Sequence, residues 1–237
     1  HHTFNAWLGC TKVSPASDGC YAENLMDHRY GRVTWGLGED RKRTSKENWR
    51  KPIKWNREAA GRDEPTYVFC SSLADVFDNE VDEIWRRDLF ALIEQTPNLT
   101  WLLLTKRIGN ILKMTDPMRG NPLLPRNAAV GATMANQEEY DRDGVKLAEV
   151  KRICDPLFTF GSFEPMLGPI ILDSNAPDWC IVGGETNQGR HKARDADPEW
   201  MRSMLGQTRQ LGRKFFLKQM ARKAPIPDDL IVREFPT

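Results

Sequence analysis

Short apolar runs alternate with amphipathic segments along most of the chain. Seven runs predict strands, at residues 4–8, 66–71, 99–104, 128–133, 157–161, 179–183 and 214–218. Five segments predict helices, at residues 21–28, 81–96, 107–114, 137–152 and 198–211. Runs without polar alternation are typical of strands buried on both faces of a parallel sheet. The pattern therefore predicts an α/β protein with one domain, a partial (βα) barrel. A doubly wound open sheet is the alternative.

Polar side chains follow almost every predicted strand. Active-site groups of parallel barrels lie at the carboxyl ends of the strands, so this edge is the predicted mouth of the barrel. The residues that we expect to act in catalysis are Lys106, Glu164, Glu185 and Lys218. The residues that we expect to bind a cofactor are Asn136, Gly183, Gly184 and again Glu185. Paired glycines admit a ligand close to the backbone, although a simple turn explains them equally well.

A loop near the amino terminus contains two cysteines. Cys10 and Cys20 flank a Gly-, Pro- and Ser-rich stretch, and Ser17 lies between them. Two thiolates in such a loop can bind a metal ion or an iron–sulfur cluster. Zinc is a weaker alternative, because the sequence has no second C-x-x-C pair and no paired histidines nearby.

Several short motifs occur in a fixed order with this loop. They are G-C-T-K-V-S-P at residues 9–15, C-Y-A-E at 20–23, L-L-T-K-R at 103–107, E-P-M-L-G at 164–168, G-G-E at 183–185 and F-F-L-K-Q at 215–219. The set resembles a phage-associated, three-cysteine family of unassigned function, whose loop is similar to that of radical S-adenosylmethionine (SAM) enzymes. The resemblance implies a radical-SAM type of barrel, a 4Fe–4S cluster and SAM as cofactors.

The resemblance breaks at one position. Cys10 and Cys20 match the first and third cysteines of the family loop, and Ser17 occupies the place of the second. A hydroxyl is a much harder ligand than a thiolate, so a cluster is doubtful in this chain. Three explanations stay open: an engineered serine, a natural serine with an altered cluster, or a lineage that has lost the cluster and kept the scaffold.

The charge along the chain is uneven. The 237 residues have a net charge of +1, yet residues 29–62 contain eleven Lys and Arg, four acids and three tryptophans. Basic groups contact phosphates and aromatic rings stack on bases, so DNA, RNA or a nucleotide is the expected substrate. The predicted contacts are Arg41, Lys42, Arg43, Trp49 and Lys51. The alternative is a solvated basic insertion whose tryptophans pack on the body of the domain.

Other features set the expected context. No apolar run is long enough to span a bilayer, and no signal peptide is recognisable. The odd number of cysteines favours free thiols in a reducing cytoplasm, of a bacterial host or phage-infected cell. His1 and His2 are interpreted as the remnant of a purification tag, which leaves 3–237 as the domain.

The leading functional hypothesis is a radical SAM-like iron–sulfur enzyme, or a cluster-deficient variant, that acts on nucleic acid or a nucleotide. One alternative is a non-redox nucleic-acid-binding protein on the same scaffold. The other is a cluster-free lyase or hydrolase in which Glu164 or Glu185 is the general base and Lys218 its electrostatic partner. A partner protein is compatible with each of these, and no membrane association is expected.

Overall fold

The computed structural model describes residues 1–236, in which seven parallel strands form one curled sheet. In chain order the strands are β1 (His2–Phe4), β2 (Trp7–Leu8), β3 (Lys42–Arg43), β4 (Thr66–Cys70), β5 (Leu99–Thr105), β6 (Ala128–Thr133), β7 (Thr159–Phe163), β8 (Trp179–Gly183) and β9 (Lys214–Gln219). β2 and β3 form a separate antiparallel pair. The order in the large sheet is β1-β4-β5-β6-β7-β8-β9. A doubly wound sheet reverses its strand order, and this one does not. The predicted α/β half-barrel is therefore confirmed.

Helices connect the strands on one side of the sheet. They are α1 (Tyr21–Glu23), α2 (Lys46–Ala59), α3 (Glu83–Glu94), α4 (Ile111–Met114), α5 (Gln137–Cys154) and α6 (Pro198–Gln210). A π-helix at Asn24–Arg29 directly follows α1. Side chains of Ser45, Asp82, Asn136 and Asp197 cap the four long helices by accepting a backbone N–H of the first turn. These caps explain where the helices begin.

The two faces of the sheet bury different residues. Side chains such as Val68, Leu103 and Val130 point toward the helices and join the main core. Their neighbours point to the opposite, concave face and form a second cluster of Tyr67, Leu102, Ala129, Phe160 and Trp179. This alternation follows from the two-residue period of a strand. The apolar runs are thus buried on both faces, as their sequence predicts.

The end of the described chain covers part of the concave face. Phe235 packs on Tyr67 and Trp179, with ring centroids 5.7 and 5.5 Å apart. The Tyr67 hydroxyl donates to the carbonyl of Pro236 at 2.9 Å. The open side of the half-barrel is therefore closed near the amino ends of the strands, and its carboxyl ends stay accessible.

Some sequence expectations need correction. The basic segment 29–62 is not simply an insertion, because α2 is the crossover between the adjacent parallel strands β1 and β4. His2 belongs to β1 and pairs with Val68, so it is part of the sheet. The predicted strand at 157–161 begins two residues later, where the Thr159 N–H bonds Asp178.

No helix in the described part of the chain is both long enough and apolar enough to cross a lipid bilayer.

Candidate cofactor and substrate site

A loop of residues 9–20, here called the N-terminal loop, lies across the carboxyl edge of the sheet. It starts beside β4, where the Gly9 N–H donates to the carbonyl of Leu73 at 3.2 Å. A 3₁₀ turn at Pro15–Ser17 then buries the Ser17 side chain. Because all seven strands are parallel, the loops that follow them meet the N-terminal loop at this one edge.

Arg107, just after β5, fixes the start of the N-terminal loop. Its guanidinium donates to Cys10 Sγ at 3.3 Å, to the carbonyl of Thr11 at 3.2 Å and to Asp75 at 3.2 Å. Burial and the Asp75 carboxylate raise the pKa of the Cys10 thiol, and Arg107 opposes them. The position of Cys10 is therefore set by a side chain almost one hundred residues later in the sequence.

Arg194, after β8, fixes the other part of the loop. It donates to the carbonyl of Pro15 at 3.0 Å and to the Asp18 carboxylate at 3.1 Å. The same guanidinium holds Glu185 through Nε and Nη2, at 3.0 and 2.7 Å. Glu185 thus belongs to a clamp between the loop after β8 and the N-terminal loop.

The carboxylate of Glu185 is strongly stabilised in its charged form. Burial acts to raise its pKa, but the hydrogen bonds and charge of Arg194, with His191 nearby, lower the pKa to about 2. His191 Nε2 lies 3.1 Å from Glu185 Oε2. A Cβ at Gly19 would lie 2.7 Å from His191 Nε2 and 3.0 Å from Glu185 Oε1, so the loop needs a glycine there. A carboxylate held in this way is a poor general base.

One space beside the N-terminal loop, here called the inner cavity, has a volume of about 170 Å³. Cys10, Ser17 and Cys20 line it together with Lys106 and Thr133. Thr133 is buried, and its Oγ1 has no hydrogen-bond partner within residues 1–236. A buried hydroxyl without a partner is costly, so this atom is available to a bound ligand or water.

A neighbouring space of about 240 Å³, the mouth cavity, extends toward β7, β8 and β9. Lys106, Glu164 and Glu185 line it, as do Ser17 and Cys20. Three of the four predicted catalytic residues therefore share one space.

The fourth predicted catalytic residue, Lys218, is not among the residues that line the mouth cavity. It reaches the site through Glu164, and the two charged groups lie 2.9 Å apart.

The largest space, the outer cavity of about 500 Å³, opens between the N-terminal loop, the π-helix and the loop after β8. Lys12, His28, Arg190 and His191 contribute polar side chains to it. Cys20 lines the inner, mouth and outer cavities alike. The three spaces are thus parts of one site that surrounds Cys20.

The donor set decides whether a cluster fits this chain. Cys10, Ser17 and Cys20 all line the inner cavity. Within residues 1–236, however, no group of three or more His, Cys, Asp or Glu side chains is placed to hold a metal ion. A hydroxyl is a poor substitute for a thiolate on iron. The residues present do not fit a three-thiolate 4Fe–4S cluster.

The predicted cofactor-binding residues have structural roles as well. A Cβ on Gly184 would meet the backbone of Ala221 at a distance that real contacts do not reach. A Cβ on Gly183 would lie 3.1 Å from Glu164 Oε2. The Asn136 side chain caps α5 and does not line the inner, mouth or outer cavity. Chain packing therefore explains Gly184, and capping explains Asn136, without a ligand.

The predicted nucleic-acid contacts are not all at the surface. The expectation that Arg41 lies at the surface is wrong: it is buried and pairs with Asp78 at 2.9 Å. Trp49 is half-buried against the core, and the Arg43 guanidinium lies 4.3 Å from its ring centroid.

Lys42, Arg43 and Lys51, the other members of that set, are exposed. Arg43 also pairs with Asp88 at 2.7 Å, whereas Lys42 is exposed on β3 and Lys51 on α2.

Sequence reasoning missed three residues of the site. Arg107 is part of the L-L-T-K-R motif, but nothing in the motif indicates that it reaches Cys10. Arg194 lies in a polar loop that has no recognisable pattern, and only the fold brings it to Glu185 and Asp18. Thr133 ends β6, and the sequence places it among the polar residues at strand ends without giving it a role of its own.

Comparisons with known proteins give a family and one structural likeness. The family model described as "Protein of unknown function (DUF5131)" matches residues 1–227, a range that includes His1 and His2. A comparison with curated proteins finds no match. A cysteine-to-serine mutant of spore photoproduct lyase is a similar solved structure, with 12% sequence identity and a TM-score of 0.48. The alignment covers 92% of this chain and 55% of that one, so the chain spans about half the length of that protein.

Proposed function

Since the chain belongs to the DUF5131 family of unknown function, we propose a function from its own site. The protein is a radical SAM-like enzyme, or a cluster-deficient variant of one, and its substrate is nucleic acid or a nucleotide. Its N-terminal loop is a cluster-binding loop in which Ser17 replaces one ligand. The phage association and cytoplasmic location of the family that the sequence resembles remain predictions.

One observation supports this proposal most directly. Cys10, Ser17 and Cys20 are separated in the sequence but line a single cavity at the mouth of a parallel half-barrel. These are the three loop positions that match the ligand positions of the family motif, so their convergence on one small space supports the proposal. Lys106 lines that space too, and it also lines the mouth cavity with Glu164 and Glu185.

The charged residues have distinct roles in this proposal. Lys106 supplies a positive charge to both cavities and can bind an anionic group of a ligand through charge-assisted hydrogen bonds. Glu164 lies in the mouth cavity, and the exposed Lys218 balances its charge. Glu185 is fully engaged by Arg194, so it holds the site closed and orients groups without exchanging protons.

The test is anaerobic reconstitution with iron and sulfide. Ser17→Cys should bind about four irons and four sulfides per chain, and the chain with Ser17 should bind clearly less. Ser14→Cys is the matched control, because it adds a thiol to the same loop outside all three cavities. The proposal fails if Ser17→Cys stays colourless, or if Ser14→Cys binds as much iron.

A second function is favoured by the donor set itself. Because Ser17 leaves two thiols in the inner cavity, the chain as it stands fits a non-redox nucleic-acid-binding protein on the same scaffold. The two functions differ in one measurement: the second requires that nucleic acid binds equally well with or without iron in the preparation.

A further inference from the structure

A set of basic and aromatic side chains lies next to the residues that line the outer cavity, and it differs from the predicted contacts Arg41, Lys42, Arg43, Trp49 and Lys51. We define the rim as Arg29, Tyr30, Arg32 and Arg190. His28, which lines the cavity, directly precedes Arg29 in the chain, and Arg190 lines the cavity from the opposite wall. The chain therefore passes from the wall of the outer cavity at His28 directly into Arg29, Tyr30 and Arg32.

The π-helix places one side of the rim. The Tyr30 N–H donates to the carbonyl of Leu25 at 3.2 Å, a bond that spans five residues. Met26 is buried and holds the helix on the body of the protein. A π-helix is a rare element that is often found at functional sites. Here it ends at Arg29 and leaves Tyr30 in solvent.

The segment after the π-helix is held in place before any ligand arrives. The Arg32 N–H donates to the carbonyl of Met26 at 2.8 Å. The Trp35 N–H donates to the Asp27 carboxylate, also at 2.8 Å. A surface that is already ordered loses less conformational entropy when it binds a partner.

The rim exposes its aromatic ring, and its arginines have no acidic partner in the described part of the chain. Tyr30 is 49% exposed, and the guanidinium carbons of Arg29 and Arg32 lie 5.4 and 5.3 Å from its ring centroid. In the part of the chain that the structure describes, no ion pair involves Arg29, Arg32 or Arg190. Arg41 and Arg43 differ from them in this respect, because each has an acidic partner.

The opposite wall belongs to the loop after β8. A Cβ on Gly189 would collide with the Asn24 side chain, and Gly189 has a φ of +56°. This close approach brings the loop against the π-helix and places the exposed Arg190 across the outer cavity. Lys12 adds little free charge, because it pairs with Glu23 at 2.6 Å.

We propose that this rim binds single-stranded nucleic acid, with its arginines on phosphates and Tyr30 stacked on a base, and directs one nucleotide into the outer cavity. The inference rests on the proposed function and names the surface that holds its substrate. Unpaired cations beside an exposed ring are the combination that binds single strands without sequence preference. A space of about 500 Å³ suits a ligand of nucleotide size and is too small for a duplex.

The experiment measures the affinity of the full chain for a fluorescein-labelled single strand of about 20 nucleotides, by anisotropy at about 50 and 200 mM salt. Arg29→Gln with Arg32→Gln should weaken binding and reduce the log–log salt slope by about 1.4, since each phosphate contact contributes about 0.7 for a single strand. The matched control is Arg50→Gln with Arg57→Gln, which removes the same charge from exposed positions of α2. The control should leave the slope unchanged.

A second pair of variants tests the stacking. Tyr30→Ala should weaken binding at least about fivefold, and Tyr30→Phe should bind within about twofold of the parent chain, because it retains the ring. The Tm of each variant is measured, and binding is compared only among variants that are folded at the assay temperature, so that a loss of fold is not counted as a loss of binding.

Three results would overturn the inference. The first is no binding of the strand at low salt, and the second is an equal loss of affinity in the α2 control variant. The third is complete displacement of the strand by a free mononucleotide at the same total concentration of nucleotides. These outcomes are separate from the test of the proposed function. If Ser17→Cys assembles a cluster but the chain binds no nucleic acid, only this inference fails. If the strand binds at the rim and no cluster forms, only the radical SAM-like proposal fails.

Discussion

A substitution at Arg41 tests whether this part of the basic segment is buried, as in the structure, or exposed, as the sequence suggests. We consider Arg41→Ala. The side chain is 1% exposed, and all five guanidinium N–H groups bond inside the protein. Its partners are the Asp78 carboxylate at 2.9 Å, the carbonyls of Gly36 and Glu39 at 3.1 and 2.8 Å, the Thr11 hydroxyl at 2.8 Å and the Glu80 carboxylate.

The expected magnitude follows from what the substitution leaves behind. In the intact protein the Asp78 side chain is 2% exposed, and the nearest other cation is the Arg107 guanidinium at 3.8 Å. Removing one partner of a buried ion pair costs about 3–5 kcal/mol, mainly because the other charge stays buried. In a protein of this size that corresponds to a decrease in Tm of roughly 6–20 °C.

The measurement is urea and thermal unfolding followed by circular dichroism. Lys42→Ala is the control, since Lys42 is the exposed neighbour on β3 and its loss should change the free energy of unfolding by less than about 0.5 kcal/mol. Arg41→Lys should be intermediate, because an ammonium group cannot reproduce the planar set of five donors. If Arg41→Ala is as stable as Lys42→Ala, the reasoning is refuted and Arg41 returns to the candidate nucleic-acid surface.

Three further outcomes are expected. Gly184→Ala should destabilise the fold by at least about 1–3 kcal/mol, because the new Cβ would collide with the backbone of Ala221. Gly206→Ala, in open space on α6, should stabilise the fold by up to about 1 kcal/mol, and urea unfolding of both variants measures the difference. The pKa of Glu185 is about 2, against an ordinary value of 4.5. Its charge therefore stabilises the fold above pH 4.5, and this contribution is lost as the pH falls toward 2. The unfolding free energy of Glu185→Gln should depend less on pH between 4.5 and 2 than that of the parent chain, and an unchanged dependence contradicts the clamp. Burial raises the pKa of Cys70 to about 12, so iodoacetamide should label the accessible Cys20 in the native protein and leave Cys70 unmodified, as peptide mass analysis can measure.

The sequence predicts the sheet well because its strands are buried on both faces. The runs at β6 and β8 coincide with the observed strands Ala128–Thr133 and Trp179–Gly183, where apolar side chains fill both sides. The prediction is less accurate after β5, where a 3₁₀ turn at Ile108–Asn110 precedes the short helix α4. Periodicity does not distinguish these two kinds of turn over so few residues.

The candidate site is predictable where it depends on position in a strand and unpredictable where it depends on partners. Lys106, Glu164 and Glu185 reach a common space because parallel strands end at one edge. The partner of Glu185 is Arg194, nine residues later in an irregular loop, and no sequence rule pairs them. The surface role assigned to Arg41 is wrong for the same reason, since its acidic partners lie on a different loop.

The N-terminal loop is held at two points by side chains that come from far along the chain. Arg107 is 97 residues from Cys10, and Arg194 is 179 residues from Pro15. The spacing of Cys10, Ser17 and Cys20 is consequently set by the assembled sheet and not by the loop alone. A synthetic peptide of residues 9–24 would lack both anchors and would not reproduce that spacing. A change of side chain at position 17 alters the chemistry offered to a ligand and leaves both anchors in place.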